Sequence, residues 1–236
     1  MGKIDIKGDV VDDMTAEWYG YWGIDSVSPK AVQLAIENDE DDKITLDIAS
    51  NGGDVFAASE IYTLLRASGK QITANVQGLA ASAASVIAMA GDTVRISPTA
   101  QIMIHKASNG NIGNADSMRK NADTLDSIDS SIVNAYVLKT GMKDTDVLKL
   151  MQDETWMNAQ TAVDKGFADE IMFVNEDDPV FTNSLHTMPS KEKLNQFFNM
   201  RLKEKQAAID KLENKPNSQP SNSLREQKLA ILLDKN

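Results

Sequence analysis

The stretch Lys43-Ile44-Thr45-Leu46-Asp47-Ile48-Ala49-Ser50-Asn51-Gly52-Gly53-Asp54-Val55 decides the fold. Residues 43–49 alternate with period two and include β-branched side chains, the pattern of a strand. Asn51-Gly52-Gly53 is a turn, because paired glycines reach backbone conformations closed to other residues. Asp54 opens a helical pattern with Val55, Ala58, Ile61, Tyr62 and Leu65 on one face, ending at Gly69. Outward from there, residues 71–76 read as a strand and 80–90 as an Ala-rich apolar helix. Residues 93–96 and 101–105 read as strands parted by Ser97-Pro98-Thr99, and 114–138 as a long helix. A short helix over 161–165 closes at Gly166, and 169–174 reads as a last strand. Strands alternating with helices in this way predict an α/β fold with parallel pairing.

The 236 residues are long enough for a full core plus an appendage. Charge changes sign along the chain: residues 1–189 carry 14 basic and 29 acidic side chains, residues 190–236 carry 10 and 6. All three Trp and all four Tyr fall in the first part. These shifts predict a folded domain over 1–178 and a basic, partly helical tail over 179–236, with helices at 190–212 and 224–233. A flexible polar linker is expected at 215–223. The net charge of −11 excludes a basic nucleic-acid binder. Without cysteine there is no disulfide, thiol nucleophile or Cys-ligated metal. With only His105 and His186, neither a metal site nor a cofactor is expected. No apolar run reaches the roughly 20 residues of a membrane span. The first eleven residues lack the apolar core of a signal peptide, so the expected location is the cytoplasm.

Three places could carry chemistry. Gly52-Gly53 lies between strand and helix, where free N–H groups favour negative charge. It is either a plain turn or an oxyanion hole. In Gln77-Gly78-Leu79-Ala80-Ala81-Ser82-Ala83-Ala84-Ser85, Ser82 sits near the start of a helix of small residues. It is either a helix cap or a nucleophile whose neighbouring N–H groups stabilise an oxyanion. Ser85 reads as a buried packing residue. Ile102-Met103-Ile104-His105-Lys106 is an apolar strand ending in an imidazole, either a structural histidine or a general base. His186 reads as exposed, which leaves His105 as the candidate base.

In this order, the Gly-Gly turn, the Ala-Ala-Ser element and the Met-Ile-His element resemble the ClpP proteolytic subunits of the S14 serine-peptidase family. The resemblance covers residues 1–175, with Ile4-Asp5-Ile6-Lys7-Gly8-Asp9-Val10 as the first core strand. It continues through Glu154-Thr155-Trp156-Met157-Asn158-Ala159 and Val163-Asp164-Lys165-Gly166-Phe167-Ala168-Asp169. It implies the ClpP/crotonase-like fold of repeated β-β-α units, and an enzyme working through a serine triad. Ser82 would be the nucleophile, His105 the base, and Glu154 the third member, with Asp153 as the alternative. Gly53, Gly52 and Ala83 would supply the oxyanion N–H groups. Residues 106–113 would pair with substrate as an added strand, and the long helix would join two homo-oligomeric rings.

The sequence also departs from the family. Asn51 stands where the family has proline, and Ala83-Ala84 stands where it has Met-Gly. The axial loops that meet an ATPase have no counterpart before the first strand, and a basic tail follows the domain. These departures resemble the prohead (head-maturation) proteases of tailed bacteriophages. That likeness implies a serine endopeptidase acting on capsid and scaffold proteins in the host cytoplasm, within the procapsid, without an ATPase. The alternatives are an ATPase-dependent ClpP subunit, an inert or crotonase-like scaffold, and a Ser-Lys mechanism using Lys106 or Lys120.

Overall fold

The computed structural model describes residues 2–174. The proposed division at 178/179, His186, the linker and the two tail helices lie outside the described residues.

The chain runs β1 (Gly2–Val10), α1 (Asp13–Trp22), β2 (Ser26–Val27), α2 (Pro29–Glu37), β3 (Lys43–Gly53), α3 (Val55–Ala67), β4 (Gln71–Ala81) and α4 (Ala83–Ala88). It continues β5 (Thr93–Ile96), β6 (Gln101–Ile104), α5 (Ala115–Thr140), α6 (Asp144–Gln152), β7 (Thr155–Asn158), α7 (Ala159–Asp164) and β8 (Glu170–Ile171). The sheet order is β2-β1-β3-β4-β5-β8, and β6 branches from β4 to carry β7. Every pairing is parallel except β6 with β7. This is the α/β, ClpP-like architecture.

The alternation in β3 sets the sheet's orientation. Ile44, Leu46 and Ile48 enter the core, joined by Ile4 and Ile6 from β1, Ile72 and Val76 from β4, and Val94 and Ile96 from β5. The α3 face of Ala58, Ile61 and Leu65 covers them. Asp54 caps α3 by accepting the N–H groups of Phe56 and Ala57 at 2.8 and 2.9 Å, as its place after the glycines predicts. The opposite sheet face is polar. There Asp47 accepts from Asn75 and pairs with Lys3 at 2.8 Å. Burial alone would raise the Asp47 pKa, but these partners hold it below the ordinary carboxylate value. A depressed pKa contributes stability that is present above the unfolded value and lost as pH falls through the folded one. Lys3→Met should therefore narrow the difference in Tm between pH 7 and about pH 3, read by thermal unfolding.

Several elements differ from the periodicity. The helix expected over 80–90 begins only at Ala83, because Leu79, Ala80 and Ala81 extend β4 to pair with Gln101, Ile102 and Met103 of β6. Residues 106–113 form no strand in the chain itself. The last strand shrinks to Glu170–Ile171, the two residues that find partners on β5. The short helix near its start runs Ala159–Asp164 rather than 161–165, because Asn158 caps it by accepting the Thr161 N–H. Helices α1, α2 and α6 and strand β7 were not legible from periodicity.

Candidate active site

The site forms where the ends of β3, β4 and β6 meet. Gly52 has φ +96°, and a Cβ there would lie 2.6 Å from the Ala81 carbonyl oxygen and 2.8 Å from Ser82 Cβ. Gly53 has φ +148°, and its Cβ would lie 2.1 Å from the Val10 carbonyl oxygen. The pair is glycine because the end of β3 presses on two neighbouring backbones at once. Gly52→Ala should therefore cost about 1–3 kcal/mol from backbone strain alone, with further loss from displacing Ser82, measurable as a lowered denaturant midpoint.

The two glycines do not present the same groups. The Gly52 N–H donates to Ser50 Oγ at 3.1 Å, and Ser50 Oγ donates to the Gly8 carbonyl. Gly53, Ser82, Ala83 and His105 instead line one cavity of about 460 Å³. The Ala83 N–H is at the first position of α4, where no carbonyl of the same helix can accept it.

Ser82 joins β4 to α4 with φ +52° and ψ −123°, a conformation rarely adopted outside glycine. Its N–H donates to the Met103 carbonyl at 2.9 Å, and its carbonyl accepts the Ser85 N–H at 2.9 Å. This sharp corner projects Oγ toward the end of β6. The parallel register sets Ala81 beside Met103, so Ser82 comes level with Ile104, one residue before His105. Ser82 Oγ lies 2.7 Å from His105 Nε2. When the serine donates, Nε2 is the bare nitrogen and Nδ1 carries the hydrogen. Both residues are half-buried.

The antiparallel β6–β7 pair brings the two candidate acids into range differently. Ile104 pairs with Thr155, so continuation of the register sets His105 opposite Glu154. Glu154 has φ +46°, and its exposed carboxylate accepts from Trp156 Nε1 at 3.3 Å rather than from His105. Asp153 pairs with Lys149 at 2.9 Å on the surface. Among the described residues, Ser82 Oγ is the hydrogen-bond partner of the His105 ring.

Lys106 does not approach the serine. Its ammonium contacts Asp129 and Asp126, each at 3.2 Å, and these partners raise its pKa, Asp129 foremost. A lysine held charged in this way is a poor base. Asp129, which the sequence reading did not single out, is buried in α5 and also accepts the Ala107 N–H at 2.7 Å. It anchors the segment directly after His105. No local pattern flags it, since a single Asp on a helix reads as a solvated side chain.

Among the described residues, no helix is long and apolar enough to cross a membrane. Comparison with known proteins agrees with the geometry. The Clp protease family profile matches residues 25–175. The ATP-dependent Clp protease proteolytic subunit 2 of Thermobifida fusca is 30% identical over 172 residues, covering 72% of this chain and 80% of that protein. Subunit 1 of Chlamydia muridarum is 31% identical over 134 residues, covering 55% and 70%. The proteolytic subunit of Deinococcus radiodurans is 28% identical over 149 residues, covering 62% and 72%. With its parallel sheet and its serine and histidine at the strand ends, the chain belongs to the Clp protease family of serine peptidases.

Proposed function

We propose that the chain is a serine endopeptidase of the phage head-maturation type, cleaving scaffold and capsid proteins without an ATPase partner. The observation that carries the chemistry is the 2.7 Å contact between Ser82 Oγ and His105 Nε2 beside the Gly53 and Ala83 backbone. His105 takes the Ser82 proton as Oγ attacks the scissile carbonyl. The Gly53 and Ala83 N–H groups receive the oxyanion. His105 then protonates the leaving amine, and water releases the acyl group by the reverse sequence.

Glu154 is the third member, orienting His105 through Nδ1. The register of β6 and β7 favours it over Asp153. Orienting His105 requires Glu154 to give up its Trp156 contact for the imidazole. Glu154→Gln should lower kcat by about 10²- to 10⁴-fold, while Asp153→Asn stays within a few-fold of wild type, both read on one peptide substrate.

The phage reading draws its support from the sequence, an acidic domain followed by a basic segment over 190–236. It takes a homo-oligomer in the host cytoplasm as the working form, with the tail binding capsid or scaffold. Purified protein should cleave a scaffold protein with no nucleotide present. Deleting 190–236 should abolish encapsidation and spare peptide hydrolysis. The names of the relatives favour a second reading, an ATP-dependent proteolytic subunit. Protein cleavage that appears only with an ATPase and ATP would establish that reading instead.

A further inference from the structure

Helix α5 buries a tyrosine whose hydroxyl the proposed chemistry does not use. Tyr136 is fully buried, and its ring packs against Phe167 with centroids 5.6 Å apart. Its hydroxyl lies 2.8 Å from Ser85 Oγ, and Ser85 Oγ lies 2.6 Å from the Ser82 carbonyl oxygen. The hydrogens in this chain have one consistent arrangement. A carbonyl only accepts, so the single Ser85 hydrogen goes to Ser82, and the Tyr136 hydrogen goes to Ser85. Burial, opposed only in part by the Ser85 hydrogen bond, pushes the phenol well above its ordinary pKa, so it remains a donor.

The accepting carbonyl belongs to a special peptide. The Ser82 C=O and the Ala83 N–H are two ends of one planar unit and point in opposite directions across it. Fixing the oxygen therefore aims the hydrogen. The Ser82 N–H is tied to Met103, and its carbonyl takes both the backbone and the side chain of Ser85. Together these bonds hold a corner whose φ of +52° does not persist by local preference.

We infer that Ser85 and Tyr136 are positioning residues that orient the Ser82–Ala83 peptide, so that its N–H faces the oxyanion formed at Ser82. The inference rests on the serine-peptidase reading and deepens it. Ser85 does more than fill space in α4, and α5 reaches the nucleophile through a hydroxyl 51 residues beyond Ser85.

The test uses the full-length protein, assembled as it is in solution, with Ser85→Ala, Tyr136→Phe and the double variant. Donors aimed at an oxyanion act on the transition state and not on the bound substrate. Removing one such donor outright costs about 10²- to 10³-fold in kcat. Misaiming one should cost about 10- to 100-fold in Ser85→Ala and less in Tyr136→Phe, with KM unchanged. Affinity for a peptide boronate, whose adduct on Ser82 is tetrahedral, should fall by the same factor as kcat/KM. Because Tyr136 acts through Ser85, Tyr136→Phe should cause no further loss in the Ser85→Ala background.

Ser85→Ala leaves the buried Tyr136 hydroxyl without its partner. If that variant fails to fold, Tyr136→Phe and the double variant carry the test. Folded variants with wild-type kcat and boronate affinity, losses confined to KM, or additive losses would overturn the positioning role alone. Wild-type protein that shows no Ser82-dependent boronate binding or hydrolysis would overturn the peptidase reading and the positioning role with it.

Discussion

Ser82→Ala should abolish covalent labelling by a fluorophosphonate probe and lower peptide hydrolysis by about 10⁴- to 10⁶-fold. The substitution removes one oxygen and little else. Ser82 makes its structural bonds through the backbone, with its N–H on Met103 and its carbonyl on Ser85. Alanine preserves both, so the variant should fold and assemble as wild type does. The strain of a positive φ is present in either residue and does not separate them. Labelling confined to proteins that retain Ser82 identifies the nucleophile directly. Labelling that survives Ser82→Ala would move the chemistry elsewhere, and an unlabelled wild type of verified oligomeric state would favour the inert scaffold.

His105→Ala should lower hydrolysis by a comparable factor of about 10⁴- to 10⁶-fold, for a different reason. The nucleophile remains, but its proton has nowhere to go. Labelling should slow and recover as pH rises toward the range where hydroxide replaces the base. The Ser82→Ala/His105→Ala double variant should be no worse than either single one, because the two act as a unit. Activity retained in His105→Ala would revive a lysine base. The geometry gives that base little room, since Lys106 is held by Asp126 and Asp129.

Much of this arrangement is legible in the sequence. The alternation of β3 and the Asp54 cap are local patterns, and the structure has strand and helix there; the glycine pair reads as a turn, but pairing with β1 holds it as the end of β3. Ser82 stands out near the start of a helix of small residues, and His105 at the end of an apolar strand. Other features resisted the same reading. The expected helix over 80–90 starts too early, because alanines fit either element and only pairing with β6 holds Leu79–Ala81 extended. Strand β7 is not legible in Thr155-Trp156-Met157-Asn158, because what makes it a strand is its antiparallel pairing with the distant β6. Its antiparallel register is nonetheless what separates Glu154 from Asp153, two adjacent acids that composition cannot tell apart.

The sequence by itself determined the parts whose cause is local. These are the α/β alternation, the places where only glycine fits, and the acidic domain followed by a basic segment. The tertiary structure alone decided what depends on strand register and packing between distant segments. It set Ser82 Oγ at 2.7 Å from His105, engaged the Gly52 N–H with Ser50 while leaving Gly53 on the cavity, and brought Tyr136 onto Ser85. The physical reason is range. Periodicity and capping act within a few residues, whereas the Ser82–His105 contact needs β4 beside β6, and the hydroxyl behind Ser85 arrives only with α5.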